Sequence, residues 1–274
     1  MRVANMALSI ALIVIVVGSV LFHLLSPWWT QPLASNWQRM DDTLTITLLI
    51  TGAFFVVIHA VVIYAILRWR HRAGRGQARA AYTPDDHRLE RWLIGITTVG
   101  IVALLAPGLV VYADYVRPPA DALKVEVVGQ QWRWRYRFAG EDGLLGRSDI
   151  RHVSADNPFG LDPADARGHG DVLIDDNELH LPLARPVQLQ LRSNDVLHDF
   201  FVPPFRARMN IVPGSVTTFW FTPTQTGRFE LMCAQLCGIG HHLMRGVVVV
   251  EDEAAFQAWL AAQPRYAAAT GGKP

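Results

Sequence analysis

Three long apolar runs occupy the first half of the chain, Val3 to Leu25, Leu44 to Trp69 and Trp92 to Tyr112. Each is long enough to cross a bilayer core as a helix of about 20 residues. From Lys124 onward the pattern changes to short alternating segments punctuated by Gly and Pro, the mark of an all-β sandwich or barrel. Lys124 to Val128, Gln131 to Phe138, Val187 to Leu191, Val216 to Phe221, Gly227 to Met232 and Gly246 to Val250 are the predicted strands. Asp142 to Glu178, rich in Asp, Gly and Pro, reads as a long loop, and Ala254 to Ala262 as a short amphipathic helix with Phe256, Trp259 and Leu260 on one face. The pattern therefore predicts a transmembrane anchor over residues 1–115, a β domain over 120–253, and a short helix with a disordered Ala/Gly tail over 254–274.

Charge orients the anchor. The connector 68–91 carries Arg68, Arg70, Arg72, Arg75, Arg79, Arg88 and Arg91, whereas Ser26 to Thr43 has Arg39 against Asp41 and Asp42. By the positive-inside rule the Arg-rich loop is cytoplasmic and the β domain lies outside, which in a bacterium means a multi-pass inner-membrane protein with a periplasmic domain. A cleaved signal segment in place of the first run would leave Ser26 onward on that same side. The run is longer than the usual signal core and no strong small-residue cleavage site follows, which favours a retained helix. Trp28, Trp29 and Trp37 then suit the outer interface as an aromatic belt.

Composition adds little to this picture except at cysteine. The 274 residues are 51% hydrophobic with a net charge of +1, a balance that marks lipid contact and no nucleic-acid partner. There are two cysteines, four positions apart, so a disulfide framework is excluded. They sit in Cys233-Ala234-Gln235-Leu236-Cys237-Gly238-Ile239-Gly240-His241-His242-Leu243-Met244, preceded by Asp195-Val196-Leu197-His198. Two soft thiolates, two imidazoles and a thioether form a set that prefers copper to hard ions. Gly238 and Gly240 let the loop fold back so that ligands of different length converge. His198, Cys237, His241 and Met244 alone have the ligand types of a mononuclear blue-copper site; with Cys233 added, both sulfurs can bridge two copper ions, each taking one histidine. The rival reading is a disulfide, the usual fate of two cysteines outside the membrane, and His198, His241 and Met244 at ligand spacing count against it. His242 is read as a neighbouring or surface residue.

This segment resembles the binuclear copper motif of subunit II of haem-copper cytochrome c oxidases. The likeness covers most of the chain, through Ala106-Pro107-Gly108-Leu109, Gly129-Gln130-Gln131-Trp132-Arg133-Trp134-Arg135-Tyr136, Asp195 to His198, Val212-Pro213-Gly214 and the ligand loop, all in the family's order. It implies a cupredoxin-like β-barrel holding a CuA centre, with Cys233 and Cys237 as bridging ligands, His198 and His241 as terminal imidazoles, Met244 as the weak axial ligand and Gln235 giving its backbone carbonyl. It further implies a periplasmic cytochrome c as donor, with Trp132 as the exposed residue through which electrons enter. A separate subunit I would carry haem and reduce oxygen to water, and a subunit III would accompany it. Glu90 matches a glutamate at the entrance of a proton pathway, although an interfacial Glu among arginines also forms a plain ion pair. His23 and His59 receive no role.

The chain departs from the family pattern in places. Gln235 stands where Glu usually reaches a magnesium or manganese ion at the border with subunit I, and Asn210 where Asp is common; an amide is the weaker ligand for a hard ion. Arg133, Arg135 and Arg137 flank Trp132, which predicts a positive local field and a less basic donor, unless they pair with the acidic loop bearing Asp149, Asp156, Asp162, Asp165, Asp171, Asp175 and Asp176. That loop reads as a solvated insertion. Three other functions compare with this one. A nitric oxide reductase subunit would share the copper ligands and differ only in its partner, a quinol-oxidase subunit would lack them, and a membrane-tethered copper carrier or disulfide-bearing β domain would not be part of an enzyme, although a carrier needs a more labile site. No Cys-x-x-Cys-His occurs, so the chain binds no haem c of its own.

Overall fold

The computed structural model describes residues 2–25, 31–69 and 85–266, which form two compact units, Met1–Gln31 with Arg39–Val110 and Pro32–Gln38 with Val111 onward. The first unit contains three helices long and apolar enough to cross a membrane: α1 (Arg2–Leu25), α2 (Gln38–Arg68) and α3 (His87–Tyr115). Both α2 and α3 outrun the apolar segments that predict them, because backbone hydrogen bonding continues through polar first turns. At the start of α3, Asp86 accepts from the backbone N–H groups of Arg88 and Leu89 at 3.0 and 3.1 Å, a side-chain cap that fixes where the helix begins. Their large apolar side chains, such as Ile13, Leu49 and Val99, are exposed, as residues facing lipid or partner helices are. The arginines from Arg70 to Arg79, the aromatic pair Trp28 and Trp29, and the predicted tail fall outside the described residues.

The second unit is two facing five-stranded sheets. Strands β1 (Leu123–Gln130), β2 (Arg133–Phe138), β3 (Val172–Ile174), β5 (Val187–Ser193) and β8 (Thr217–Phe221) form one, in the order β3-β2-β1-β5-β8. Strands β4 (Glu178–Pro182), β6 (His198–Val202), β7 (Ala207–Ile211), β9 (Gly227–Cys233) and β10 (Arg245–Glu251) form the other, in the order β4-β10-β9-β6-β7. Both sheets are mixed: β1 runs parallel to β5 and β10 parallel to β4, while the remaining pairs are antiparallel. Alternate residues face inward, so Val127, Trp134, Tyr136, Leu189, Phe219 and Val248 are fully buried between the sheets. This is the all-β sandwich that the alternating pattern predicts and the cupredoxin-like architecture that the family resemblance implies. Helix α4 (Glu253–Ala261), capped by Asp252, presses Phe256 against Phe138 and stacks Trp259 on the His180 ring.

Three expectations are corrected. Trp37 does not belong to an interfacial belt: it is buried, its ring lies edge-on to Tyr115 and Trp220, and its indole N–H donates to the Trp220 carbonyl at 2.8 Å. Tyr115, the last residue of α3, belongs with the β unit too, exchanging hydrogen bonds with the backbone of Arg208 at 2.9 and 3.2 Å. The strand predicted from Gln131 begins at Arg133, so Trp132 stands in the preceding turn and leaves the inward face to Trp134, Tyr136 and Phe138.

The third correction concerns the arginines. Arg137 is buried and pairs with Glu126 at 2.7 Å and with Asp171, while its remaining donors reach the Gly146 carbonyl and Ser148. Arg135 pairs with Asp175 at 2.7 Å and Gln130 at 2.6 Å, and Arg133 lies 3.5 Å from the same Asp175. Asp175 takes Arg133 and Arg135, and Asp171 with Glu126 takes Arg137, so the three arginines are paired rather than free beside Trp132, the alternative that the sequence leaves open. The insertion is ordered, with short 3₁₀ turns at Ile150–His152 and Ala166–Gly170 capped by Asp149 and Asp165. Hydrogen bonds from the Arg151 side chain and backbone hold the Asp149 carboxyl well below the usual range; the Arg167 side chain and the Arg147 backbone do the same for Asp165.

Two outcomes follow from this pairing. Arg137→Met leaves buried carboxylates without their counter-charge and should destabilise the domain by about 3–5 kcal/mol, read as a lower unfolding temperature of the detergent-purified protein. The capping carboxylates have depressed pKa values in the folded state. Their contribution is complete above the ordinary carboxylate range, near pH 4, and is lost as pH falls through the folded values. Hydrogen exchange should therefore accelerate first in residues 147–170 on acidification, with the sheets still protected.

Candidate metal centre

The site is built where β9 ends and β10 begins. Antiparallel pairing of β6 with β9 sets Phe200 opposite Cys233 and Phe201 opposite Met232, which brings His198, two residues before Phe200 and on the same face, alongside the thiol. The Cys233 Sγ lies 3.9 Å from His198 Nδ1 and 3.7 Å from Cys237 Sγ, and the Cys237 Sγ lies 3.5 Å from His241 Nδ1 and 3.9 Å from Met244 Sδ. The Gln235 carbonyl oxygen is 3.1 Å from Cys233 Sγ. Both cysteines are free, since a disulfide requires sulfurs about 2 Å apart. His198, Cys233, Cys237 and Met244 are buried and His241 is half-buried, while His242 is exposed.

Backbone hydrogen bonds close the loop on itself. Cys233 N donates to the Met244 carbonyl at 3.1 Å, Ala234 N to Asp199 at 3.2 Å, and His241 N to Gly238 at 3.1 Å, opening a single 3₁₀ turn at His241–Leu243. Gly238 has φ +122°, a conformation side-chain-bearing residues avoid. A Cβ on Gly240 would meet the Trp132 ring at 2.3 Å, so that glycine is required by the packing of the indole against the loop.

The two thiols differ electrostatically. Burial opposes ionisation of Cys233, but the His198 ring and backbone hydrogen bonds at Asp199 and Gln235 bring it down to about 6. Burial and the neighbouring Cys233 sulfur push Cys237 up to about 12. Two adjacent thiolates repel unless a cation lies between them, and soft ions are the ones thiolates prefer. The His198 ring, with burial opposing, is held protonated above its ordinary range by Cys233 and Asp195.

Around this cluster lies a ring of polar contacts. Asp195 Oδ1 is 2.8 Å from His198 Nε2, and Asp195 Oδ2 accepts from Gln131 N at 2.7 Å. The Gln131 side-chain amide donates to the Cys237 carbonyl at 2.8 Å, and the Trp132 indole N–H donates to the same oxygen at 3.3 Å. Every residue singled out in the loop and at His198 therefore converges with Trp132 on one site. Glu90 takes no part: it stands in the first turn of α3, 3.1 Å from His87 Nδ1. Sequence reading missed Gln131 and Asp195; the only signal was their position inside segments quoted for other residues.

Comparison with known proteins identifies the chain's family. The family described as "Cytochrome C oxidase subunit II, periplasmic domain" matches residues 123–252. The "Alternative cytochrome c oxidase subunit 2" of Bradyrhizobium diazoefficiens is 50% identical over 266 residues, covering 97% of this chain and 95% of that protein. The "Cytochrome c oxidase subunit 2" of Cereibacter sphaeroides is 28% identical over 238 residues, covering 84% and 77%. Among solved structures, the periplasmic domain of subunit II of cytochrome oxidase of Bradyrhizobium japonicum aligns with a TM-score of 0.39 at 24% identity, covering 53% of this chain and 95% of that one. With half of its residues identical to those of a full-length relative, and with the family's periplasmic domain matched across both sheets, the chain belongs to the cytochrome c oxidase subunit II family.

Proposed function

We propose that this chain receives single electrons at a binuclear copper centre in its periplasmic domain and passes them to haem in a separate subunit, which reduces oxygen to water. The observation that carries the reading is the unpaired thiol pair at 3.7 Å, flanked by two imidazole nitrogens and a thioether. The donor set fits copper: every donor but one carbonyl is soft or borderline, and among the described residues no carboxylate joins the group of His198, Cys233 and Cys237. Copper bound there supplies one-electron redox chemistry.

The chain's own residues do the rest. Cys233, Cys237, His198 and His241 would hold the copper through their sulfurs and Nδ1 atoms, with Met244 and the Gln235 carbonyl as the remaining donors. Strands β6, β9 and β10 of one sheet hold these residues at fixed spacing, which limits rearrangement between redox states. Trp132, half-buried and hydrogen-bonded to the Cys237 carbonyl, links the domain surface to a ligand residue and is the point at which electrons enter. Around it the loop presents Leu236, Ile239 and Leu243, with Ile239 91% exposed, so donor contact there is apolar rather than charge-led. A cytochrome c with an apolar haem edge suits that rim.

Gln235 and Asn210 carry neutral amides where a hard ion would want carboxylate, so no magnesium or manganese site enters the reading. Glu90, at the end of α3 read as cytoplasmic, is assigned the uptake of protons toward the partner subunit, with His87 Nδ1 3.1 Å from its carboxylate. The assembly is a haem-copper oxidase complex in a bacterial inner membrane, with subunits I and III beside α1 to α3.

Trp132→Phe keeps a ring against Gly240 and removes the N–H that reaches Cys237. Oxygen consumption by the purified complex with a reduced cytochrome c should fall by about tenfold, as loss of a contact worth ~1.4 kcal/mol in the transition state would give, with copper content unchanged. Unchanged turnover would remove Trp132 from the path.

A further inference from the structure

The two halves of the ligand set come from segments far apart in the chain. His198 stands on β6, and the other ligands on the loop after β9. Besides the sheet register, one further connection between them is made by the β1–β2 turn. Gln131 contributes twice: its backbone N–H donates to Asp195 Oδ2 at 2.7 Å, and its side-chain amide donates to the Cys237 carbonyl at 2.8 Å. Asp195 in turn holds His198 through Nε2 at 2.8 Å, with Nδ1 left facing Cys233. Asp195 is itself fixed by Ser193 Oγ at 3.3 Å and by the Val196 N–H at 2.6 Å.

We infer that Gln131 and Asp195 are positioning residues that clamp the imidazole of His198 and the Cys237 carbonyl into one rigid frame, setting how tightly and in what geometry the site holds copper. A carboxylate on the far nitrogen of a ligating histidine selects the tautomer that leaves the near nitrogen free for the metal and strengthens it as a donor. Here the same carboxylate is joined through Gln131 to the thiolate-bearing loop, so a rotation of either ligand segment must break a hydrogen bond in the other. Three glycines mark how closely the frame is packed. A Cβ on Gly129 would come within 3.1 Å of the His198 ring, one on Gly238 within 2.9 Å of the Gln131 amide, and one on Gly240 within 2.3 Å of Trp132. Gln131 is exposed, so its side chain fills no core space and its contribution is the hydrogen bond.

This inference rests on the copper reading above. The test uses the intact oxidase complex purified in detergent, carrying Gln131→Ala, Gln131→Met or Asp195→Asn, challenged with a copper chelator while the copper spectrum is recorded. Gln131→Met keeps the volume and removes the donor. Asp195→Asn keeps one acceptor oxygen where two contacts need two. Each variant should lose copper affinity by about 10- to 100-fold, the usual cost of removing a partner of a ligating histidine, and should shift the copper absorption and spin-resonance signals. Wild-type affinity and spectra in both Gln131 variants would overturn the clamp, as would restoration of wild-type behaviour by Met but not by Ala, which would mean that Gln131 acts by bulk. A wild-type complex without copper would instead bring down the functional reading itself.

Discussion

The register between β6 and β9 is the constraint on which the site depends. Setting Phe200 opposite Cys233 decides that His198 and the first thiol share a face, and a slip of one residue would turn the whole set of side chains to the other face. Apolar burial enforces that register. Phe200 and Leu231 are fully buried, and the Trp134 ring lies edge-on to both Phe200 and His198. The ligand loop inherits its starting point from this pairing and its end point from the Cys233–Met244 backbone hydrogen bond. Most of the proposed copper ligands stand on a loop, but a pair of strands sets their distance from His198.

Buried charge ties down the insertion between β2 and β3: Arg137 sits between Glu126 and Asp171, and Arg192 reaches Glu126 at 3.2 Å. Asp175, exposed just after β3, takes Arg135. The buried pairs contribute little net stability but make the alternatives costly, since either partner left alone is an uncompensated buried charge. On another side of the domain, Trp37, Tyr115, Trp220 and Phe219 join the segment before α2 and the end of α3 to the sheets through ring contacts and backbone hydrogen bonds.

Much of this was legible in the sequence because it is carried by local periodicity and by residue chemistry at short spacing. The three apolar runs, β1, β5, β8, β9, β10 and the ligand loop all announce themselves within a few residues. What was hidden depends on partners distant in sequence. β6 lies in the His198 motif, where aromatic residues and a ligand mask the strand pattern, and β3 spans only Val172–Ile174. The arginines next to Trp132 look like a positive surface until Glu126, Asp171 and Asp175 are brought beside them. Gln131 and Asp195 are separated by 64 residues and meet only in the folded domain. Trp37 reads as interfacial by its position near an apolar run, whereas its indole N–H is used by the Trp220 backbone.

On the reading proposed above, Cys233 and Cys237 hold two copper ions that share one electron. Electron spin resonance of the oxidised complex, with the haem signals subtracted, reads this directly. Two such ions should give a hyperfine pattern from two equivalent copper nuclei and a copper content of two per chain beyond that of the haem-bearing subunit. Splitting from a single copper nucleus, or a copper-free domain with Cys233 joined to Cys237 as a disulfide, would overturn the two-copper centre.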